Sequence, residues 1–265
     1  MDLDARRRLT ARAVVGLSVV AIAALLVHGP VPQDEGYHAF ADRRAWLGVP
    51  NALDVLSNAP FLAVGLAGLR VARRGAERRP RWATTAATLF AVGVAATAVG
   101  SALYHLAPRD ATLVLDRLPM GLAFGAFFAL LLGDRLGPRA GRAILGPAVV
   151  LGPASVLLWW ASRSWTPGGD LRLYGVAQFL PAVSGVLLLA LVPPTDRAAR
   201  AALWAGLLGY AAAKALEAAD EALWRASGGL LAGHALKHVA AAVAAGFLVR
   251  WVARTDAAGE AAATA

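Results

Sequence analysis

Residues Ala83–His105 read ATTAATLFAVGVAATAVGSALYH. The stretch has no Asp, Glu, Lys or Arg, and it exceeds the roughly 20 apolar residues that cross a bilayer as a helix. It ends on Ser101 and His105, one helical turn apart. Polar side chains at the end of such a helix are costly in a membrane and therefore mark a candidate functional site.

The rest of the chain repeats this composition. Hydrophobic residues make up 58% of the 265 residues, which excludes an ordinary soluble domain, a disordered chain and a fibrous repeat. We predict an all-α, polytopic membrane helical bundle with eight spans. Besides Ala83–Tyr104, the predicted spans are Ala11–Val27, Leu53–Val71, Thr112–Gly133, Ala143–Ala161, Tyr174–Val192, Ala201–Leu216 and Leu230–Val252.

The first span has two interpretations. Arg6, Arg7 and Arg8 precede an apolar run, as in a signal peptide, but the run ends without a small-x-small cleavage pattern. We favour a retained helix. The predicted organisation is an N-terminal stub with this helix (1–30), an outer loop (31–50), a unit that contains the other seven spans (51–254) and a disordered tail, Thr255–Ala265.

The charge of +9 is explained by topology. With eight spans, 17 of the 26 cationic residues lie on the side of the termini, so the positive-inside rule predicts cytoplasmic termini. No basic run is interleaved with aromatic residues, so nucleic acid is not an expected partner. These 17 residues are Arg6, Arg7, Arg8, Arg12, Arg70, Arg73, Arg74, Arg78, Arg79, Arg81, Arg135, Arg139, Arg142, Arg197, Arg200, Arg250 and Arg254.

Polar residues of three spans meet on the opposite side. Asp116 begins the fourth span, and His234 and His238 lie four residues apart in the eighth, on one helix face. With His105 they form a three-nitrogen set that leaves a zinc position open for water. The chain has no cysteine, so thiolate ligands are excluded. Helix–helix hydrogen bonding, bis-histidine haem and a proton relay remain alternative uses of these histidines.

This pattern resembles a known superfamily. Ser-x-x-x-His at one helix end, Asp at the next helix start and His-x-x-x-His in the last helix are similar to the signature of the membrane hydrolases. That superfamily contains alkaline ceramidases, Per1 proteins and progestin/adiponectin receptors. The motif Asn51–Phe61, NALDVLSNAPF, is similar to the ceramidase branch, so the resemblance covers about Asn51–Val252.

The resemblance implies a seven-helix core with one added N-terminal helix. It implies zinc ligation by His105, His234 and His238, with Ser101 and Asp116 as catalytic partners. The implied activity is hydrolysis of a long-chain lipid amide such as ceramide, at a site facing the outer side of the cell membrane. A receptor-like member with little turnover is the alternative.

The sequence departs from the family at the calcium site. Ceramidases carry an Asp-Trp-x-Glu-x-Asn cluster and a Glu before the first core helix, whereas Asn51 takes the Glu position here and the cluster is absent. A solvated loop is therefore favoured over a degenerate calcium site. The oxygen ligands of such a site would be Asp34, Glu35, Asp42 and Asn51.

Two further groups have more than one interpretation. The first group lies at the outer end of the seventh span and would bind a lipid head group, brace the site, anchor the helix at the interface or form internal ion pairs. It consists of Lys214, Glu217, Asp220 and Glu221, with Trp224 just beyond. The second group is predicted to be an aromatic belt at the outer interface. It consists of Trp159, Trp160 and Trp165.

Overall fold

The computed structural model describes the backbone of residues 2–263 and the side chains of residues 2–255, and its regular structure is helical. A short 3-10 helix, Glu35–His38, lies in the first long loop. The α-helices are α1 (Leu3–His28), α2 (Ala52–Leu56), α3 (Ala59–Arg74), α4 (Arg81–Leu106), α5 (Asp110–Leu136), α6 (Pro138–Ser162), α7 (Arg172–Leu191), α8 (Arg197–Ala218), α9 (Asp220–Ala226) and α10 (Gly233–Ala263).

The membrane-protein prediction is confirmed. Within the described residues, seven helical segments are long and apolar enough to cross a bilayer: α1, α2 with α3, α4, α5, α6, α7 and the first part of α10. The seventh predicted span, Ala201–Leu216, forms the middle of α8 but is not among these seven segments. Lys214 and Glu217 in its last turns reduce its apolar character.

The predicted first core span is broken. Leu53–Val71 was expected as one helix, but α2 ends at Leu56 and α3 begins at Ala59. Ser57 and Asn58 form the turn between them, and the Asn58 amide donates to the Asp54 carbonyl (2.7 Å). The break places the Ser57 hydroxyl against α10, in the position described below.

The helices form one bundle, in which helices that are neighbours along the chain mostly pack against each other. α4 packs between α3 and α5, α6 packs on α5 and α7, and α10 packs between α8 and α3. The core between them holds Phe90, Phe127 and Trp251, with the Phe127 and Trp251 ring centroids 6.1 Å apart. Close helix contacts depend on small residues, as is typical of membrane bundles. An added Cβ at Gly121 of α5 would lie 2.6 Å from the Gly152 carbonyl carbon of α6.

The added helix α1 lies at the edge of the bundle. Only 11% of its most apolar 18-residue stretch is buried, and the helix packs on α7 and α5. Its C-terminal end is held by Arg172, whose guanidinium donates to the Leu25 carbonyl (3.1 Å). The division into an added helix and a seven-helix catalytic unit stays a prediction. The predicted disordered tail, Thr255–Ala265, falls almost entirely outside the residues whose side chains are described.

Candidate metal centre

Three buried imidazoles converge where α4 ends and α10 begins, which we call the site end of the bundle. His105, His234 and His238 each offer a ring nitrogen, and these three atoms lie within 4.8 Å of one another. The ring centroids are 4.9–5.0 Å apart. Each side chain is at most 5% exposed. The spacing argument from the sequence therefore identified residues that meet in space.

The unsatisfied nitrogens fit a metal ion. Both ring nitrogens of His105 and Nε2 of His234 are buried and lack a hydrogen-bond partner among the described residues. Buried polar atoms are normally paired, so unpaired nitrogens of His105 and His234 where the three imidazoles converge indicate a ligand. Three neutral imidazoles match zinc at a catalytic site, and also other divalent ions that accept nitrogen.

A hydrogen bond from the turn after α2 orients the third histidine. The Ser57 hydroxyl lies 2.8 Å from His238 Nδ1 and donates to the Asp54 carbonyl (3.0 Å). Since a hydroxyl has one hydrogen, which is used on Asp54, the Ser57 oxygen accepts the hydrogen bond that Nδ1–H of His238 donates. His238 is thereby held as the Nδ1–H tautomer, which leaves the Nε2 lone pair for a metal.

A carboxylate fixes the start of α10. Asp220 accepts hydrogen bonds from the backbone of His234 (2.7 Å) and of Ala41 (3.0 Å). Gly233 makes this approach possible, because an added Cβ there would lie 2.1 Å from the Leu216 carbonyl oxygen. Asp220 therefore braces the site and ties the first loop to α10.

The first loop covers the cluster. Phe40 is 4% exposed, and its ring centroid lies 4.7 Å from that of His105 and 4.3 Å from that of His234. The prediction of a solvated loop is wrong for Phe40 and for Asp42, which are buried, and right for Asp34 and Glu35, which are exposed. The loop is held in place because the ring of Phe40 packs over the histidines and closes the site.

The residues considered for calcium have other partners. The Asp42 carboxylate accepts three hydrogen bonds from Arg44 (2.8–3.0 Å). Burial acts to raise the pKa of Asp42, but Arg44 outweighs it and lowers that pKa below its usual value. The Asn51 amide donates to the His105 carbonyl (2.8 Å), and Asp34 accepts from Gly36 N (2.8 Å). The structure therefore gives no support to a calcium site here.

Ser101 and Asp116 lie together beside the imidazoles. Helices α4 and α5 touch at Gly100, where an added Cβ would lie 2.1 Å from the Leu115 carbonyl oxygen. This contact brings Ser101 of α4 close to Asp116 of α5. Both residues line the same cavity as His238. A proton-accepting group and a hydroxyl donor thus lie next to the cluster.

That cavity, which we call the chamber, has a volume of about 790 Å³. It lies between α1, α4, α5, α7, α8 and α10, and its wall is mostly aliphatic and aromatic. The size and lining are those of a site for a large apolar ligand. Apolar residues that contribute to the wall are Leu17, Ala21, Ala24, Phe90, Val94, Phe124, Phe127, Val176, Phe179 and Ala241.

The acidic and basic residues at the end of α8 separate into two groups. Lys214 and Glu217 form an ion pair in the chamber wall, and Lys237 of α10 also contacts Glu217 (2.6 Å). Glu221 instead forms an exposed pair with Arg225 (2.8 Å). Internal ion pairing is thus confirmed, while binding of a head group stays a prediction.

The predicted aromatic belt is wrong for Trp159. This side chain is fully buried, and its indole N–H donates to the Gly168 carbonyl (3.1 Å). Trp160 and Trp165 are exposed, at 38% and 71%, as a belt requires. The sequence near a helix end does not distinguish the two environments.

Comparisons with family models, with curated proteins and with solved structures returned no match. The resemblance to the membrane hydrolases therefore rests on the motifs alone.

Proposed function

We propose that the protein is a zinc-dependent membrane hydrolase that cleaves the amide bond of a long-chain lipid. The observation that carries the proposal is three converging histidines, two of which have unpaired buried nitrogens, next to an apolar chamber lined by Ser101 and Asp116. His105, His234 and His238 would hold the ion. Zinc bound there supplies a Lewis acid and an activated water.

Asp116 is placed to move the proton. A carboxylate beside a water nucleophile accepts its proton and returns it to the leaving nitrogen, so that one group acts as base and then as acid. Although it lies in a spanning helix, Asp116 keeps partial exposure because it faces the chamber. Water and a substrate amide therefore have access to it.

Ser101 is placed to stabilise the developing charge. Its hydroxyl lies near the Asp116 carboxylate, and rotation about one side-chain bond would direct its hydrogen towards a substrate carbonyl oxygen. A donor at that oxygen is worth more as negative charge develops on it. Ser101 is 2% exposed, so bulk water does not compete for this hydrogen bond.

The geometry favours a metal ion over bis-histidine haem. Two axial imidazoles lie on opposite faces of the iron, and bonds of about 2 Å put their ring centroids roughly 6 Å or more apart. The three centroids here are 4.9–5.0 Å apart. A porphyrin ring does not fit between any two of them.

The test combines metal analysis with hydrolysis of a panel of N-acyl lipids, scored by fatty acid release. We expect about one zinc per chain. His238→Ala loses zinc and activity, while Asp116→Asn keeps zinc and loses at least about 100-fold in kcat, the scale of general acid–base catalysis. The matched control is His28→Ala, an exposed histidine at the end of α1, which keeps both.

Two results would overturn parts of the proposal. Full zinc and full hydrolysis in His238→Ala would refute the ligand set. Intact zinc in the wild-type protein with no hydrolysis across the panel would favour a receptor-like role.

A further inference from the structure

An arginine with unusual surroundings lies in the chamber wall, one residue after Asp116. Arg117 is 6% exposed, and its guanidinium carbon lies 4.7–5.3 Å from the ring centroids of Trp159, Tyr174 and Tyr37. One terminal nitrogen donates to Gln33 Oε1 (2.7 Å). The other, Nη1, is buried and has no partner among the described residues.

Arg117 has no carboxylate partner among residues 2–255. Two other arginines at the site end do have one: Arg163 contacts Asp110 (3.0 Å) and Arg172 contacts Asp170 (2.7 Å). A buried charge is normally paired, and the aromatic rings supply only part of the compensation. The guanidinium therefore has donor capacity and charge available for an anion.

The rest of the chamber increases this positive charge. Lys214 and Lys237 share the single carboxylate of Glu217. Arg172 also lines the chamber, but it is paired with Asp170. The other three cationic side chains of the wall, those of Arg117, Lys214 and Lys237, face two carboxylates, those of Glu217 and Asp116. A neutral lipid head would leave this excess uncompensated, whereas one anionic group would balance it.

Tyr37 contacts both Arg117 and the ion-paired group of Lys214, Glu217 and Lys237. Its ring lies against Arg117, and its hydroxyl donates to Glu217 Oε1 (3.1 Å). Arg117 and the lysines therefore border one polar region, and Asp116 sets that region beside the metal centre. An anionic group held by Arg117 would lie near the amide that the proposed function cleaves.

We propose that Arg117 binds an anionic head group, so that the substrate is a lipid amide whose amine part carries an acid, as in N-acyl amino acids. The inference rests on the proposed function. Water adds across the amide C–N bond, with hydroxyl going to the acyl carbon and hydrogen to nitrogen. The products are a fatty acid and an amine that keeps its acidic group. The planar guanidinium fits carboxylate and phosphate alike.

The experiment compares three oleoyl amides in the zinc-loaded protein: N-oleoylglycine, N-oleoylethanolamine phosphate and neutral N-oleoylethanolamine. We expect kcat/KM for an acidic amide to exceed that for the neutral one by about 10- to 100-fold, the effect of a hydrogen bond to a charged group. The two acidic substrates distinguish a carboxylate from a phosphate head. Arg117→Gln removes the preference by slowing only the acidic substrates.

Two variants control for folding and for general charge. Arg117→Lys keeps the charge and part of the preference, which a purely structural role would not predict. Arg225→Gln removes an exposed arginine outside the chamber and leaves all three rates unchanged. Equal rates for acidic and neutral amides in the wild type, or an equal loss for all three in Arg117→Gln, would overturn the inference.

Binding separates this inference from the proposed function. The melting temperature of the protein is measured with N-oleoylglycine and with N-oleoylethanolamine, which needs no turnover. If the acidic lipid alone raises it, in a manner that depends on Arg117, and no amide is cleaved, the anion site stands and the hydrolase proposal fails. If only the neutral amide is cleaved, the hydrolase proposal stands and the anion site fails.

Discussion

Ser57→Ala tests whether the turn between α2 and α3 strengthens metal binding by the three histidines. The substitution removes the oxygen 2.8 Å from His238 Nδ1, which holds the tautomer that offers Nε2. Loss of such an outer hydrogen bond weakens metal binding by roughly 10- to 100-fold, or about 1.4–2.7 kcal/mol. We therefore expect the zinc dissociation constant to rise by that factor.

The assay is competition for zinc with a chromophoric chelator of known affinity. Ser57→Thr keeps a hydroxyl on the same carbon and should stay within about threefold of the wild type. Ser164→Ala is the matched control, because that exposed serine donates only to the carbonyl of Ala161. A dissociation constant for Ser57→Ala equal to that of Ser164→Ala would refute the orientation argument.

Two predictions concern the helices around the chamber. Gly100→Ala forces α4 away from α5, because the added Cβ would meet the Leu115 carbonyl. The rate of hydrolysis should therefore fall at least about tenfold. The control is Gly146→Ala, which has open space around it and should leave activity unchanged. Glu217→Gln leaves two lysines without their carboxylate and should destabilise the protein by about 3 kcal/mol in thermal unfolding. The exposed pair of Glu221 is the comparison, and Glu221→Gln should cost less than about 1 kcal/mol.

The helical pattern and the three-histidine cluster were predictable because both depend on local spacing. Apolar runs of membrane length define the spans, and residues four apart share a helix face, which brought His234 and His238 together. The alternation of helix direction then placed His105 and Asp116 at the same end. These inferences need no knowledge of how loops fold.

The surroundings of the three histidines were not predictable, because they do not depend on local spacing. Phe40 lies in a loop without periodicity, so nothing in the sequence shows that its ring covers the histidines. The role of Ser57 depends on a helix break that apolar periodicity does not reveal. Arg117 next to Asp116 resembles an interfacial arginine until the three aromatic rings around it are placed.

The sparse packing of α1 has a consequence for turnover. This helix contributes Leu17, Ala21 and Ala24 to the chamber wall, yet little of it is buried and it packs mainly on α7. Elements with few buried contacts open at low free energy. We expect lipids to exchange with the bilayer by displacement of α1, so that catalytic throughput rises with the fluidity of the surrounding membrane.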